Sequence, residues 1–387
     1  MICVHLKPQE DRRIRRGFPW VYKNEIDAAR TELESVEPGA AVRVLDARGG
    51  VIGVGFVSPA SLVTVRLLAR TPELPDDLLE RRLAAALRWR EKNFAEPYYR
   101  WVFAEGDGLP GLVVDRYGDA CVVQTSTWGM ERVLPDILAA VDRLIAPKVV
   151  VVKNDATVRK PEGLSSYVSL ERGDAADVEV PEQDAAFHTS LTEGQKTGWF
   201  FDQRENRARF RGLLREATVL DLYSYVGAWG VLAARAGARR VVCVDSSAWA
   251  VERITANAQA TAVADRVTAL RSDVPAHLAA DEARYDRVVL DPPSLIRRRQ
   301  DAKRGEDLYR RLNREALERV AEGGMLVSCS CSALLDDTAH LGIIRAAGRQ
   351  ARRELRLVGR GTLPPDHPQH PMLAETAYLK CWFVRVE

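Results

Sequence analysis

From residue 217 onward the chain alternates between short apolar runs and helical patterns, and no other feature limits its fold as strictly. Val219-Leu220-Asp221-Leu222 is an apolar strand that reaches an aspartate, breaks into a turn, Tyr223 to Gly227, and resumes as an apolar helix over 228–236. Strands follow at 240–245, 267–271, 287–291 and 325–328, separated by helical patterns at 247–260, 274–281 and 304–321. A helix at 336–351 and strands near 354–359 and 377–386 complete the series. Such alternation predicts a parallel sheet covered on both faces, since each crossover helix packs back onto the sheet. Ligands of these doubly wound sheets bind beyond the carboxyl ends of the strands.

The upstream part reads differently. Residues 1–72 carry β-branched runs punctuated by Gly and Pro, at 2–6, 41–46, 51–57 and 62–68, the pattern of a small barrel. A basic turn there, with Arg12, Arg13, Arg15 and Arg16, leads into Phe18 and Trp20, rings suited to stacking on bases. Residues 73–180 read as a central α+β domain. A helix over Asp77–Phe94 is capped by Asp76, strands lie at 100–103, 112–115, 120–125 and 149–153, and a helix runs from Met130 to Leu144. No catalytic grouping is evident in it. The acidic stretch 172–186 marks a boundary, and 181–387 forms the third domain.

Composition removes several classes. A net charge of +2 gives no global field, so any nucleic-acid surface comes from local clusters. The six cysteines are scattered without a CxxC pair, which predicts reduced thiols in a cytosolic protein. The first residues are too short and polar for a signal peptide, and no apolar run approaches a membrane span.

The first strand turn lacks GxGxxG and P-loop spacing, so it offers no obvious pyrophosphate cradle. Asp221 suits a ligand with a cationic end, such as the amino group of a methionine moiety. Asp245 stands where an acid accepts hydrogen bonds from ribose hydroxyls, and Ser272-Asp273 where an adenine amino group would lie. Strand-end acids are also common helix caps, but three in succession form a more specific pattern.

The fourth strand ends on Asp291-Pro292-Pro293, a stiff turn that holds a carboxylate toward the ligand crevice. It resembles motif IV of class I S-adenosylmethionine-dependent methyltransferases. The next strand runs into Ser328-Cys329-Ser330-Cys331-Ser332. A cysteine beside such a motif suggests covalent pyrimidine methylation. C5 of cytosine is a poor nucleophile, and a thiolate adding at C6 makes C5 enamine-like. Asp291 at N3 or N4 would stabilise the developing charge. Another group of RNA cytosine methyltransferases carries a product-releasing thiol where Ser294 stands, so release here needs another base or water.

Together these residues resemble the bacterial large-subunit ribosomal RNA methyltransferase I family, cytosine-C5 enzymes with an N-terminal PUA domain. The resemblance spans nearly the whole chain. It rests on residues 17–22 and 58–61 for the PUA part, and on 106–111 and 158–163 for the central domain. In the third domain it rests on 196–204, 224–227, Asp291-Pro292-Pro293, Ser330-Cys331-Ser332, Asp366-His367-Pro368 and Tyr378-Leu379-Lys380.

The resemblance implies a Rossmann-like methyltransferase domain with Cys331 as nucleophile; Cys329 is an extra thiol expected to pack. It implies an S-adenosyl-L-methionine site built on Gln203, Asp221, Tyr223, Ser224, Gly227, Asp245, Ser246, Asp273, Asp291 and Pro292. The RNA surface is expected to use Arg12, Arg13, Arg15, Arg16, Trp20, Lys196, Arg297, Arg298, Arg299, Lys303 and Arg304. No metal is expected: His367 and His370 have no partnered cysteine and are expected to shape the target pocket. The expected partner is 23S ribosomal RNA with no membrane, and there is room for a homodimer. Rival readings are N2-guanine or C5-uracil methylation on the same scaffold, or a non-catalytic RNA-binding assembly factor.

Overall fold

The alternation after residue 217 forms a seven-stranded sheet in a computed structural model that describes residues 1–174 and 177–387. Its strands are β1 (Thr218–Leu222), β2 (Arg240–Asp245), β3 (Val267–Arg271), β4 (Tyr285–Leu290), β5 (Val320–Ser330), β6 (Leu355–Gly361) and β7 (Lys380–Val386). Their spatial order is β3-β2-β1-β4-β5-β7-β6. The first five are parallel, and β7 runs antiparallel to both β5 and β6. The all-parallel expectation is thus corrected at one edge. Only the short 3-10 helix Ala374–Thr376 separates β6 from β7, with no α-helix to carry a crossover, so the chain returns in the opposite sense.

The central strands are apolar on both faces because both are covered. Leu220, Leu222, Val288 and Leu290 pack against Leu278, Leu312 and Ala347 from three helices. Fully burying each such side chain stabilises the fold by roughly 1.5–3 kcal/mol. On the other face Gly230 lets the helix Ala228–Arg235 approach β2, where an added Cβ would lie 2.2 Å from Cys243 Sγ. The order β3-β2-β1-β4 puts the reversal of connectivity between β1 and β4, the place where ligands settle in open α/β sheets.

Two more five-stranded sheets precede it. The first has the order Ile2–His5, Ala41–Leu45, Val51–Val57, Val63–Ala69, Trp20–Tyr22. A Leu6–Ile26 bridge brings its edges together, as the barrel pattern predicts. The second has the order Tyr167–Arg172, Val149–Asn154, Ala120–Thr125, Leu112–Tyr117, Tyr98–Phe103, with the helix Leu78–Asn93 packed on it.

Local expectations are corrected at four places. The helix over 130–144 is two helices, Trp128–Arg132 and Leu134–Ile145, because Pro135 occupies the opening turn of the second. The N-cap of Leu78–Asn93 is Asp77, not Asp76, and no side-chain bond forms there. The basic turn contains a short helix, Asp11–Arg15. The acidic boundary holds two paired strands, Asp177–Glu182 and Ala185–Ser190, while its residues 175 and 176 lie outside the described ones. Glu182 there is buried and paired with Arg207, Nη2 to Oε2 at 2.5 Å.

By its contacts the chain divides into two units. One comprises Met1–Val178, Ser190–Trp199 and Pro365–Thr376, the other Glu179–Thr189, Phe200–Pro364 and Ala377–Glu387. Among the described residues no helix is long and apolar enough to cross a membrane.

Candidate active site

The site is built at the carboxyl ends of β1, β2, β4 and β5. After β1 the backbone turns through left-handed residues, Tyr223 (φ 64°), Tyr225 (φ 51°) and Gly227 (φ 85°). Such a conformation is costly for tyrosine and persists only when the surroundings impose it. Ser224 supplies part of that hold: its hydroxyl donates to Asp221 O at 2.7 Å and accepts from Val244 N at 2.9 Å, tying β1 to β2. Asp245 adds to it, accepting the Tyr225 N–H and the Ser247 N–H, each at 2.9 Å. A carboxylate has about four lone-pair sites, so Asp245 keeps acceptor capacity. Asp273 and Ser246 are exposed beyond β3 and β2.

Asp221 departs from its expected setting. It is fully buried, and its Oδ2 accepts the Gly230 N–H at 3.0 Å, inside the first turn of the following helix. Burial pushes its carboxyl up to about 7, with Asp291 and Asp245 adding to the rise. This oxygen serves the turn rather than an open surface, because the apolar helix closes over it. Tyr223 is also turned inward, packing against the core, and burial raises its phenol.

Asp291 follows β4 and is half-buried. Its Oδ2 accepts from Gln203 Nε2 at 2.9 Å and from Trp229 Nε1 at 3.1 Å. Gln203 is itself fixed, since its Oε1 accepts from Asn206 Nδ2 at 2.7 Å. Two neutral donors on one oxygen fix the carboxylate's orientation. Across the neighbouring strand, the Cys331 thiol donates toward Pro292 O at 3.9 Å. The two chemistry-bearing groups predicted from sequence are therefore brought to adjacent strand ends.

The cysteine loop is clamped from several sides. Ser330 Oγ donates to the Tyr309 hydroxyl at 3.0 Å, and that hydroxyl lies 2.9 Å from Ser332 Oγ. Ser332 Oγ in turn lies 3.0 Å from Ser294 Oγ and accepts the Ile296 N–H at 3.2 Å. The two serines flanking Cys331 thus serve as fasteners. Cys329 is fully buried opposite Cys381 of β7, and burial holds its thiol well above the usual range. A thiol so placed is inert. Trp229, Asn206, Tyr309 and Lys380 had no assigned role from sequence; the visible signals were a tryptophan opening an alanine-rich helix and, for Lys380, its place in the Tyr378-Leu379-Lys380 motif.

A PUA-like domain matches residues 4–70, and the family described as Conserved hypothetical protein 95 matches residues 199–303. The ribosomal RNA large subunit methyltransferase I of Alteromonas mediterranea is 30% identical over 389 residues, covering 97% of each chain. That of Shewanella denitrificans is 31% identical over 396 residues, covering 100% of this chain and 99% of its own. The chain belongs to the ribosomal RNA large subunit methyltransferase I family. Among solved structures, a candidate S-adenosylmethionine-dependent methyltransferase from Streptococcus mutans has the same fold at TM-score 0.85 and 20% identity, with 100% of both chains covered. A second, a candidate methyltransferase complexed with SAH, has TM-score 0.86 at 20% identity and the same coverage.

In this methyltransferase I family member, the expected RNA-contacting residues divide sharply. Arg297, Arg298, Arg299, Lys303 and Arg304 are all exposed, and among the described residues none of them forms an ion pair. Arg13 is not free for a phosphate. It pairs with the buried Glu25 at 2.5 Å and stacks on Phe18 and Tyr22, at 4.1 and 4.7 Å to the ring centroids. Arg15 pairs with Asp11 and Asp46 at 2.7 and 2.6 Å. Trp20 is half-buried, and its indole N–H donates to Glu105 at 3.0 Å, so the expected open stacking ring is corrected to an internal brace. Arg12 and Arg16 are exposed, as is Lys196.

Lys196 lies in a segment held to the second sheet, where Tyr117 donates to Thr197 O at 3.0 Å. The Asp366-His367 segment belongs to the same unit. Asp366 accepts the Arg100 N–H at 3.0 Å, and His367 Nδ1 lies 2.8 Å from Asp366 Oδ1. Among the described residues no group of three or more His, Cys, Asp or Glu is arranged for a metal ion.

Proposed function

We propose that this chain transfers a methyl group from S-adenosyl-L-methionine to C5 of a specific cytosine in large-subunit (23S) ribosomal RNA, with Cys331 as covalent nucleophile. The observation that carries this reading is the Cys331 thiol 3.9 Å from Pro292 O, beside the twice-held carboxylate of Asp291. The relatives are named as ribosomal RNA large subunit methyltransferases, which supports the substrate class.

The donor set fits the cofactor. Asp245 retains acceptor sites for ribose hydroxyls at the end of β2, and Asp273 and Ser246 offer exposed polar groups nearby. Gln203, Tyr223, Ser224, Gly227 and Pro292 shape the surrounding turns, with Asp221 beneath them. When bound, S-adenosyl-L-methionine supplies an electrophilic methyl group.

The chain's own residues prepare the base. The Cys331 thiolate adds at C6 of the cytosine, forming an S–C6 bond and moving the C5–C6 π electrons toward C5. The Asp291 carboxyl, protonated at this step, faces the N3–N4 edge and gives its proton to N3 as negative charge develops there. After methylation, solvent water takes the C5 proton, and β-elimination breaks the S–C6 bond, frees the thiolate and returns the N3 proton to Asp291. The exposed run Arg297 to Arg304 contacts RNA phosphates. Residues 1–72 serve as the RNA-gripping part, 73–180 as a structural centre and 181–387 as the catalytic domain.

Nucleoside mass spectrometry of ribosomal RNA, with and without this protein, tests the reading. The expected result is one 5-methylcytosine that appears only with the protein and is lost in Cys331→Ala. An N2-methylguanine or 5-methyluracil product would overturn it, and so would full methylation by Cys331→Ala.

A further inference from the structure

Lys380 opens β7 and is buried, with 2% of its surface exposed. Its ammonium donates to Ser332 O and to Tyr378 O, both at 2.6 Å. Both partners are backbone carbonyls, and among the described residues Lys380 forms no ion pair. Carbonyls satisfy N–H groups without neutralising the charge, and a buried cation lacking a counter-charge is expensive. Burial accordingly draws its proton affinity down to about 8, so it still carries its charge near pH 7.

The placement of that charge is specific. Ser332 directly follows Cys331, and this segment has little slack, because Tyr309 and Ser294 hold the flanking serines. Among the described residues, the other titratable groups that act on this spot are neutral or acidic, and the nearby Arg360 is engaged by Asp337. His340, on the helix Asp337–Gln350, is held neutral with its pKa down at about 3. Burial keeps Tyr309 and Cys329 protonated. Asp336 and Asp337 raise the proton affinity of Lys380 without pairing to it, and Asp291 stands beyond the thiol. Of these groups only Lys380 is a cation without an ion pair.

We propose that Lys380 is a positioning residue for Cys331: its ammonium fixes the Ser332 peptide and supplies the positive charge that stabilises the Cys331 thiolate. The inference rests on the reading of Cys331 as nucleophile. The thiol proton leaves to water, Lys380 keeps its own proton, and the thiolate then forms the S–C6 bond. A cation beside a thiol lowers its pKa, and the thiolate is the reactive form. The anion in turn gives Lys380 the counter-charge that the resting fold does not provide.

The test is the pH profile of iodoacetamide alkylation at Cys331, read by site-resolved mass spectrometry on the full chain without RNA or cofactor. Wild-type Cys331 is expected to titrate below the ordinary thiol value of about 8.5. Lys380→Met is expected to slow alkylation at pH 7 at least fivefold and shift the profile to higher pH, and Lys380→Arg to stay within twofold of wild type. A wild-type profile at or above the ordinary value, or an unchanged profile in Lys380→Met, overturns the proposal. If Lys380→Met does not fold, the wild-type profile alone decides. Because no methyl transfer is measured, this outcome is separate from the fate of the cytosine assignment, which Cys331→Ala decides.

Discussion

Asp221 and Asp291 end adjacent parallel strands of one sheet, and in the sequence they look alike: an apolar run, an acid, a turn. Their surroundings differ completely. Asp221 is sealed under the helix that comes after it and bonds the Gly230 backbone, with its carboxyl pushed up to about 7. Asp291 is half-buried, held by the Gln203 amide and the Trp229 indole, and placed beside Cys331. The difference lies in the next few residues of the chain. After Asp221 the chain turns into an apolar helix that folds back over it. After Asp291 two prolines keep the chain away from helix, leaving the carboxylate at the crevice. A strand-end acid becomes a scaffold or a reactive group according to the backbone after it.

The contrast breaks most visibly if Asp291 can be dispensed with. Asp291→Ala is expected to slow single-turnover methyl transfer by about 10²–10⁴-fold, the range typical for a positioned acid or base. It also leaves the Gln203 and Trp229 donors unpaired. A loss under tenfold would place Asp291 with Asp221, as scaffold.

Asp221 itself gives the opposite signature. Its folded carboxyl titrates near 7 against an ordinary 3.8, so its favourable contribution is complete below about pH 3.8 and is lost as pH rises through 7. Asp221→Asn should therefore be more stable than wild type at pH 8, by on the order of a few kcal/mol. The gap should shrink below pH 7 and close by pH 4, as read by denaturant unfolding at each pH. A variant less stable at pH 8 would mean that the ionised carboxylate is needed for the fold.

The two basic clusters repeat the contrast on a smaller scale. Arg297→Ala/Arg298→Ala/Arg299→Ala should weaken RNA binding about tenfold or more and flatten the salt dependence by roughly 2 in log–log slope, near 0.7 per single-strand phosphate contact. Arg13→Ala should leave that slope unchanged and lower stability instead, since it strips the buried Glu25 of its partner. Equal salt-slope effects from the two variants would erase the distinction. The smallest effect belongs to Cys329→Ala, which should cost about 1 kcal/mol of stability and change methylation less than twofold.

Much of this was legible in the sequence, and the limit falls at a definite place. The alternation after residue 217 identifies the sheet because strand and helix periods are local properties. Asp291 and Cys331 are readable because Asp-Pro-Pro and Ser-Cys-Ser keep distinctive chemistry within a few residues. The partner of each group is not readable in this way. Trp229 meets Asp291 across 62 positions and Lys380 meets Ser332 across 48, distances set by strand order rather than by pattern. The antiparallel β7 escapes for the same reason, and it carries Lys380. Arg13 shows the converse. As a charge run it resembles a phosphate site, and only the fold reveals that Glu25, Phe18 and Tyr22 already occupy it.

The most direct measurement is capture of the covalent intermediate. RNA carrying 5-fluorocytosine at the target position cannot lose a proton from C5, so the S–C6 adduct should accumulate. Incubated with the protein and S-adenosyl-L-methionine, it should yield a denaturation-resistant complex whose cross-linked peptide contains Cys331, absent in Cys331→Ala and retained in Cys329→Ala. A cross-link at another residue, or one that survives in Cys331→Ala, would contradict the assignment of Cys331 as the nucleophile.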